Sequence, residues 1–363
     1  MKIIFHHPLP LNPNAKSASG IRPLRMLEAF RRIGYEVNLV VGYAAERARA
    51  IAEIRRNVQS GVKYDFVYSE SSTMPTILTE KHHLPLHPLL DRSFFQFCKG
   101  ENIPIGVFYR DIYWRFESYG RDLNPVKRWV AKAAYWYELN TYKHTLNRLF
   151  LPSSEMAEYV PLVHTSIMTA LPPGHDGILN GTPGKRDKSQ PLKLFYVGGM
   201  SDHYRLHKLF EAVVDLPGVE LIICTREGEW NKQKLEYRTD VPNIRIVHKT
   251  GKAMKEELRQ CDIAVLFVQP QEYWGFASPV KLYEYLGEQK PILASKGTLA
   301  GKFVEENKIG WSIPYEVDAV KRLLERLAVS SEEFEPIYSN LAKVAPLHTW
   351  EARASNVVAE LNS

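Results

Sequence analysis

Short apolar runs alternate with longer amphipathic stretches along the chain. The run at 2–7 predicts a buried strand, the stretch 20–34 has apolar residues near helical spacing with Pro23 near its start and Gly34 as its stop, and the run at 35–43 predicts the next strand. A strand, a helix and a second strand in succession are typical of a parallel sheet.

The same alternation continues through two halves of the chain. Further strands of the first half are expected within 64–71, 103–111 and 148–154. Those of the second half are expected at 193–198, 219–225, 244–248, 262–268 and 291–295, with a last helix over about 349–361. Between the halves, residues 172–191 are dense in Gly, Pro and charge, which predicts a linker. The pattern predicts an α/β protein with two Rossmann-like domains facing a cleft.

Composition narrows the class of protein. The 363 residues are 45% hydrophobic and 24% charged, enough for two domain cores. A formal net charge of +6 favours an anionic partner, which leaves nucleotide phosphates, anionic lipid and nucleic acid open. The three cysteines lie far apart without a C-x-x-C pair, which is typical of a reducing cytosol. With no long apolar run and an N-terminal run broken at Pro8, a cytoplasmic location is expected.

Several nucleotide and metal motifs are absent. The stretch 297–303 resembles a P-loop but is one residue short and ends in Phe303 where a magnesium-binding hydroxyl is required. The first loop lacks G-x-G-x-x-G, which argues against a dinucleotide oxidoreductase. The chain has no D-x-D, and His82, His83 and His87 lack ligand partners at metal spacing. We therefore expect neither a metal ion nor another cofactor.

Five segments carry a family resemblance. They are LFYVGGM, DIAVLFV, SPVKLYEYLGEQKPILAS, the linker segment LPPGHD and the terminal HTWEARA. Together they resemble the bacterial GT-B glycosyltransferases, particularly the group with an E-x7-E signature. The resemblance implies an acceptor-binding domain at 1–171, a linker at 172–191, a domain that binds the nucleotide-sugar at 192–346, and a helix within 347–363 that returns to the first domain.

The candidate donor site lies on the segment 274–295. A departing nucleoside diphosphate carries negative charge, so an enzyme without a metal must supply cations and amide donors, and Lys281 is placed to do so. Glu284, three residues on, shares its helix face and by resemblance accepts the ribose hydroxyls. Pro279 suits the first turn of this helix, whose free N–H groups attract phosphate. The alternative is an ordinary surface Lys/Glu pair.

Two departures from the signature are visible. Phe276 stands where the first glutamate of E-x7-E belongs, and Glu272 is out of register, so a retaining outcome is not assigned. The family's lysine after the Gly-Gly strand is missing, and Arg205 or Lys208 is expected to replace it. Gly198 and Gly199 end that strand and allow close approach to phosphate, unless they form only a tight turn.

The first domain offers acceptor-site candidates. Asp111 follows an apolar strand and is predicted to be the general base that deprotonates the acceptor hydroxyl; the alternatives are an ion pair with a neighbouring arginine or a helix cap. Ser19 and Gly20 begin the first helix, where their amides are expected to contact the donor phosphate or the acceptor. Glu70 ends another strand and is a weaker candidate for acceptor contact.

A basic and aromatic stretch spans 121–148. It holds six Lys or Arg residues against two acids, interleaved with Trp129, Tyr135, Trp136, Tyr137 and Tyr142. Such a face suits an anionic membrane surface, and a core-facing aromatic stripe with a solvated basic back is the alternative. Nucleic acid is not expected as a partner, because no reading motif accompanies the charge.

These observations predict a metal-independent, hexosyl-type glycosyltransferase of bacterial surface-polysaccharide synthesis. It would move a sugar from a nucleotide-sugar to a saccharide or a lipid-linked saccharide, in the cytoplasm or at the inner face of the plasma membrane. A nucleotide-sugar epimerase of the same architecture and a non-catalytic protein that binds sugar nucleotides remain alternatives.

Overall fold

The structure, a computed structural model, divides the chain into two compact units. Unit 1 consists of Met1–Pro173 and Trp350–Ser363, and unit 2 of Gly174–Thr349. The structure describes residues 1–15, 17–117, 119–177, 187, 189–201 and 204–362. Much of the predicted linker 172–191, namely 178–186 and 188, therefore lies outside the described residues.

Unit 1 contains a six-stranded parallel sheet. Its strands are β1 (Lys2–His7), β2 (Glu36–Val41), β3 (Phe66–Glu70), β4 (Ile105–Phe108), β5 (Arg148–Leu151) and β6 (Met168–Ala170). They are arranged in the order β2-β1-β3-β4-β5-β6, and each neighbouring pair is parallel. The chain therefore changes its direction of winding between β1 and β3.

Unit 2 contains a second six-stranded parallel sheet. Its strands are β7 (Leu192–Val197), β8 (Val219–Cys224), β9 (Ile244–Val247), β10 (Ile263–Leu266), β11 (Ile292–Ser295) and β12 (Gly310–Ile313). The order is β12-β11-β10-β7-β8-β9, again with parallel pairs throughout. Here the winding reverses between β7 and β10, as in a doubly wound nucleotide-binding sheet.

Helices connect the strands of both sheets. In the first segment of unit 1 they are α1 (Ala18–Arg32), α2 (Ala44–Gln59), α3 (Leu90–Gly100) and α4 (Pro125–Thr145). Those of unit 2 are α5 (His207–Val214), α6 (Glu227–Gln233), α7 (Gly251–Arg259), α8 (Val280–Gly287), α9 (Leu299–Asn307), α10 (Val317–Val329) and α11 (Phe334–Val344). The last helix, α12 (Trp350–Asn362), belongs to unit 1, as the sequence predicted. Short 3-10 turns complete the connections.

The last helix packs against the first. Ala354, Val357 and Leu361 are buried in the core of unit 1 with residues of α1 and the sheet. Two ion pairs fix its ends, Arg32 to Glu351 at 2.8 Å and Arg148 to Glu360 at 2.8 Å. The apolar face of α12 thus completes a core formed mainly by the first 150 residues.

The predicted fold class, two Rossmann-like α/β domains with a returning C-terminal helix, is confirmed. The sequence analysis missed two elements, β6 and β12, because each is a short strand at a sheet edge with half-exposed residues and carries little of the apolar pattern. It also placed Pro23 near the start of the first helix, whereas α1 begins at Ala18 and Pro23 lies inside it.

The three cysteines are buried free thiols. Among the described residues, no helix has both the length and the hydropathy needed to cross a membrane.

Candidate functional site

The two strands at the centre of unit 2, β7 and β10, define its candidate site. Their connections leave in opposite directions, and sheets of this kind bind ligands beyond the carboxyl ends of the strands at such a point. Gly198 and Gly199 directly follow β7, and Pro279, Lys281 and Glu284 lie on the connection that follows β10. These five predicted donor residues, and also Arg205 and Lys208, therefore belong to the two segments that leave this point.

Tyr285 fixes α8 to both central strands. Its buried hydroxyl accepts a hydrogen bond from the Val197 N–H at 3.0 Å and lies 3.5 Å from the Val265 carbonyl oxygen. Val197 ends β7 and Val265 lies in β10, so one side chain holds the helix at the reversal of winding. Sequence analysis did not single out Tyr285; its position directly after Glu284 was the available signal.

Lys281 and Glu284 face each other on the first turns of α8. The lysine Nζ lies 2.6 Å from Glu284 Oε2, and about a third of each side chain is exposed, 32% and 28%. Pro279 precedes the helix with extended backbone angles, and the helix bonds begin with the Leu282 N–H. The first-turn N–H groups lack partners within the helix, so this end combines amide donors, a cation and a carboxylate.

Contacts within unit 2 explain why glycine occupies the two positions after β7. A Cβ at Gly198 would lie 2.5 Å from the hydroxyl of Tyr196, which donates to the Gly199 carbonyl at 2.7 Å. A Cβ at Gly199 would lie 3.2 Å from Glu229 Oε2, which accepts from the Met200 N–H at 3.1 Å. Close packing against Tyr196 and Glu229 thus accounts for glycine at both positions, and the predicted phosphate contact stays a prediction.

Arg205 and Lys208 were the two candidates for the missing lysine. Arg205 is exposed, and its carbonyl accepts from the Gln269 N–H at 3.0 Å, which joins the segment after β7 to the segment after β10. Lys208 is the second residue of α5 and pairs with Glu211 at 2.9 Å. Of these two candidates, Arg205 is therefore the one whose segment is hydrogen-bonded to the connection after β10.

The residue at the position of the missing signature glutamate, Phe276, is buried in the core of unit 2. Phe276 is 3% exposed and packs against Tyr273, with 5.2 Å between the ring centroids. Glu272, which the sequence shows to be out of register, is exposed in a short 3-10 helix. An apolar contact thus replaces the first carboxylate of the signature.

A cavity of about 330 Å³ opens at the corresponding point of unit 1. Its walls come from the end of β1, the following loop, the first turn of α1 and the segment after β3. The polar residues that line it are His7, Asn12, Asn14, Ser17, Ser19, Ser72 and Thr73. Hydroxyls and amides are the groups that hydrogen-bond a polyhydroxylated ligand.

His7 lines this cavity with a defined tautomer. Its Nδ1 lies 2.8 Å from the Glu70 carbonyl oxygen, which can only accept, so Nδ1 carries the proton and Nε2 the lone pair. Among the described residues, no hydrogen bond to Nε2 is found. Burial, reinforced by the charge of Arg110, lowers the pKa of His7 to about 4, so the ring is neutral near pH 7.

Sequence analysis did not single out His7 as a functional residue. The available signal was its place as the last residue of the first strand, beside the reversal of winding between β1 and β3. The pairing of β1 with β3 could not be read from the chain, because β2 intervenes.

Ser19 and Gly20 lie in the first turn of α1 and line the cavity, near where the sequence placed them. The Gly20 N–H donates to the Ser17 carbonyl at 3.0 Å, and the hydroxyls of Ser17 and Ser19 are 2.9 Å apart. A Cβ at Gly20 would lie 2.6 Å from that of Ala15, so this glycine lets the loop pack against the helix.

Glu70 is fully buried and adjoins the cavity through its carbonyl, which accepts a hydrogen bond from His7. Its carboxylate pairs with Arg22 at 3.0 Å and Arg110 at 3.3 Å and accepts from the Tyr68 hydroxyl at 2.7 Å. These contacts join α1 to the ends of β3 and β4. Glu70 therefore holds the walls of the site together, and its predicted contact with an acceptor is untested.

Asp111 lies three residues beyond β4. Its Oδ1 accepts from the Tyr113 N–H at 2.9 Å, which caps a short 3-10 helix, and burial raises the pKa of the carboxyl. The capping contact is one of the alternatives that the sequence left open. Asp111 does not line the cavity that contains His7, and its role as general base stays a prediction.

Comparison with known proteins bears on the fold. No protein-family model matches the sequence, and no curated protein is similar to it at a significant level. The structure of HepE from Anabaena in complex with UDP-glucose is similar over 99% of this chain and 98% of that one, with a TM-score of 0.62 and 14% identity. The structure of sucrose-phosphate synthase from Thermosynechococcus elongatus is similar over 98% and 97%, with a TM-score of 0.63 and 12% identity.

A glycosyltransferase from Rickettsia africae has a TM-score of 0.62 at 11% identity, over 98% of this chain and 97% of that one. This chain has the GT-B fold. The fold explains why the two reversals of winding, at β1/β3 and at β7/β10, recur in units of different sequence.

Within this GT-B fold, the predicted stretch 121–148 is mainly the helix α4, and its aromatic residues divide between two faces. Tyr135 and Tyr142 are buried in unit 1, whereas Trp129 and Trp136 are 71% and 39% exposed. The core-facing alternative therefore holds for one face of the helix, and contact of the other face with a membrane stays a prediction.

Among the residues that the structure describes, no group of three or more His, Cys, Asp or Glu side chains is placed to hold a metal ion. The metal independence of the proposed reaction stays a prediction.

Proposed function

We propose that this protein is a glycosyltransferase that moves a sugar from a nucleotide-sugar bound by unit 2 to an acceptor hydroxyl bound by unit 1. The observation that carries the proposal is the placement of Gly198, Gly199, Pro279, Lys281 and Glu284 on the two segments that leave the reversal of winding in unit 2. The complex of HepE with UDP-glucose, which shares the fold, supports a nucleotide-sugar as donor.

In the donor site, we assign the diphosphate to the first turn of α8 and to Lys281. The cation and the first-turn N–H groups offset the negative charge that the leaving diphosphate gains. Glu284 accepts hydrogen bonds from the two ribose hydroxyls, and the ion pair that it forms with Lys281 opens to admit the nucleotide. Arg205 supplies a second cation from the segment after β7, with Lys208 as the less favoured alternative.

In the acceptor site, we assign proton removal to His7. The acceptor oxygen forms a bond to the anomeric carbon, the bond from that carbon to the diphosphate oxygen breaks with its electron pair, and the acceptor proton passes to His7 Nε2. The Glu70 carbonyl holds the ring in the tautomer that leaves Nε2 unprotonated and able to take the proton. An inverting outcome follows from this assignment.

The lining of the cavity supports a saccharide as the acceptor. Hydroxyl and amide side chains alternate there with Leu9 and Leu11, and sugars present both polar edges and apolar faces. We propose a hexosyl donor and a saccharide or lipid-linked saccharide acceptor, used in the synthesis of a bacterial surface polysaccharide.

A panel of nucleotide-sugars scored by thermal shift identifies the donor, and nucleotide release is then measured with and without saccharide acceptors. We expect release to require an acceptor and the sugar to appear in the product. Donor conversion without any acceptor would instead identify an epimerase. Donor binding without turnover across a broad acceptor panel would identify a non-catalytic binding protein, and either result contradicts the proposal.

A further inference from the structure

One face of α4 presents large apolar side chains to solvent. Val126 and Trp129 are 68% and 71% exposed, and Trp136 is 39% exposed. With Ala133, which is also exposed, they recur at intervals of three and four residues and so form one stripe along the helix.

The opposite face of α4 is the one that packs into unit 1. Its buried residues are Ala134, Tyr135, Glu138, Leu139, Thr141, Tyr142 and Thr145. The helix thus has a complete core-facing side, and the tryptophan stripe is a second apolar face that the chain leaves in water.

A neighbouring loop extends this apolar surface. Leu84, Leu86 and Leu89 are 54%, 61% and 64% exposed, and the loop is joined to α4 by the Tyr137 hydroxyl, which donates to the Pro88 carbonyl at 2.7 Å. Seven of the thirteen exposed large hydrophobic residues in the described part of the chain lie in 84–89 and 123–136. Such a concentration marks an interaction surface, since scattered apolar residues are the norm.

The charges beside the stripe are positive. At 100° per residue, Lys132 and Lys143 lie on the same side of α4 as Trp136, and Lys143 is exposed. Of the two acids within 121–148, Glu138 is buried and accepts from the backbone N–H and hydroxyl of Thr76, so only Asp122 is exposed. Tryptophan and lysine together suit the headgroup region of a bilayer that carries anionic lipid.

We propose that the α4 surface, defined as Leu84, Leu86, Leu89, Val126, Trp129 and Trp136 with Lys132 and Lys143, docks this protein on an anionic lipid bilayer. The apolar side chains enter the interface, and the lysines contact the lipid phosphates. This inference stands apart from the proposed function, because docking is measured without substrates and donor binding is measured without lipid.

The test is co-sedimentation of the full chain with vesicles of phosphatidylcholine, with and without phosphatidylglycerol, at low salt. We expect strong binding only to the anionic vesicles. The double variant Lys132→Glu/Lys143→Glu should weaken it by about five-fold or more for each lysine. The charge-matched control, Lys232→Glu/Lys234→Glu on exposed positions of unit 2, should bind as the native chain does.

Insertion of the stripe is tested separately. Val126→Ser/Trp129→Ser removes two residues that are mostly exposed, so the fold should be kept, as a thermal melt checks. We expect this variant to lose vesicle binding and, with it, the quenching of tryptophan fluorescence by brominated lipid that the native chain shows. Leu235→Ser/Val329→Ser, at sites 95% and 76% exposed, is the matched control and should behave as the native chain.

Three results would overturn the proposal. The first is a native chain that ignores anionic vesicles at low salt. The second is equal binding by the native chain and the Val126→Ser/Trp129→Ser variant. The third is a self-associated native chain that becomes monomeric in that variant, which would assign the stripe to a second copy of the protein.

Discussion

The polar residues near the reversal of winding are held in different ways in the two sheets. In unit 1, His7 and Glu70 are 4% and 0% exposed, and Glu70 is tied to Arg22 and Arg110. In unit 2, Lys281 and Glu284 form an ion pair on one helix, with about a third of each side chain exposed. The first arrangement is set by folding, whereas the second can be rearranged by a ligand. Changes in unit 1 should therefore affect turnover or stability, and changes in unit 2 should affect binding.

The largest expected effect is on turnover. His7→Asn keeps a side-chain N–H for the Glu70 carbonyl but removes the base, so kcat should fall by about 10²–10⁴ with donor affinity nearly unchanged. Asp111→Asn is the comparison, and it should keep most activity if Asp111 only caps the 3-10 helix. Loss of activity in Asp111→Asn with an active His7→Asn enzyme would return the base to Asp111. A retaining product would exclude both residues from this role.

The next effect is on stability. Glu70→Gln leaves two buried guanidinium groups without their carboxylate, and breaking such a pair costs about 3–5 kcal/mol. Lys281→Met breaks a partly exposed i,i+3 pair within one helix, for which a loss of about 0.2–0.5 kcal/mol is expected. Urea unfolding of both variants measures the difference, and equal losses would contradict the contrast between the two units.

For unit 2, the expected effect is on the affinity for the nucleotide. Glu284→Ala should weaken the donor and its bare nucleoside diphosphate alike, because the lost charged hydrogen bonds are worth roughly 1.5–3 kcal/mol, about 10–150-fold in Kd. Glu28→Ala, which removes the acid of an i,i+3 pair on α1, is the control. Titration calorimetry measures both, and unchanged affinity in a folded Glu284→Ala protein would remove the ribose assignment.

Buried histidine also predicts a pH dependence. The pKa of His7 is about 4 in the folded protein, lowered by burial and by the charges of Arg110, His6 and Arg47, against about 6.5 unfolded. Below pH 6.5 only the unfolded chain binds this proton, so stability falls as the pH decreases from 6.5 to 4, by up to about 1.4 kcal/mol per pH unit. His6, whose pKa is lowered by burial, acts with the same sign. The slope of unfolding free energy against pH should be shallower in His7→Asn, and an equal slope would show that His7 is already charged when folded.

The smallest expected effect on turnover is that of removing metal ions with a chelator. With Lys281, Arg205 and helix amides assigned to the diphosphate, EDTA should leave turnover unchanged. Activity that is abolished by EDTA and restored by manganese would show that these groups do not suffice.

By itself, the sequence determined the fold class and the candidate donor segment, since both depend on local pattern. The apolar runs located ten of the twelve strands, and residues 274–295 carried the donor candidates in one stretch. The edge strands β6 and β12 escaped because short, half-exposed strands have no distinct periodicity.

Tertiary structure alone decided which distant residues meet. The pairing of β1 with β3 brings His7 to the backbone of Glu70, 63 positions away, and so sets its tautomer and pKa. Tyr285 reaches Val197 across 88 positions, and the helix face of Trp129 is exposed only because the face of Tyr135 and Tyr142 fills the core. Burial and hydrogen-bond partners depend on which elements become neighbours, and no local pattern encodes that choice.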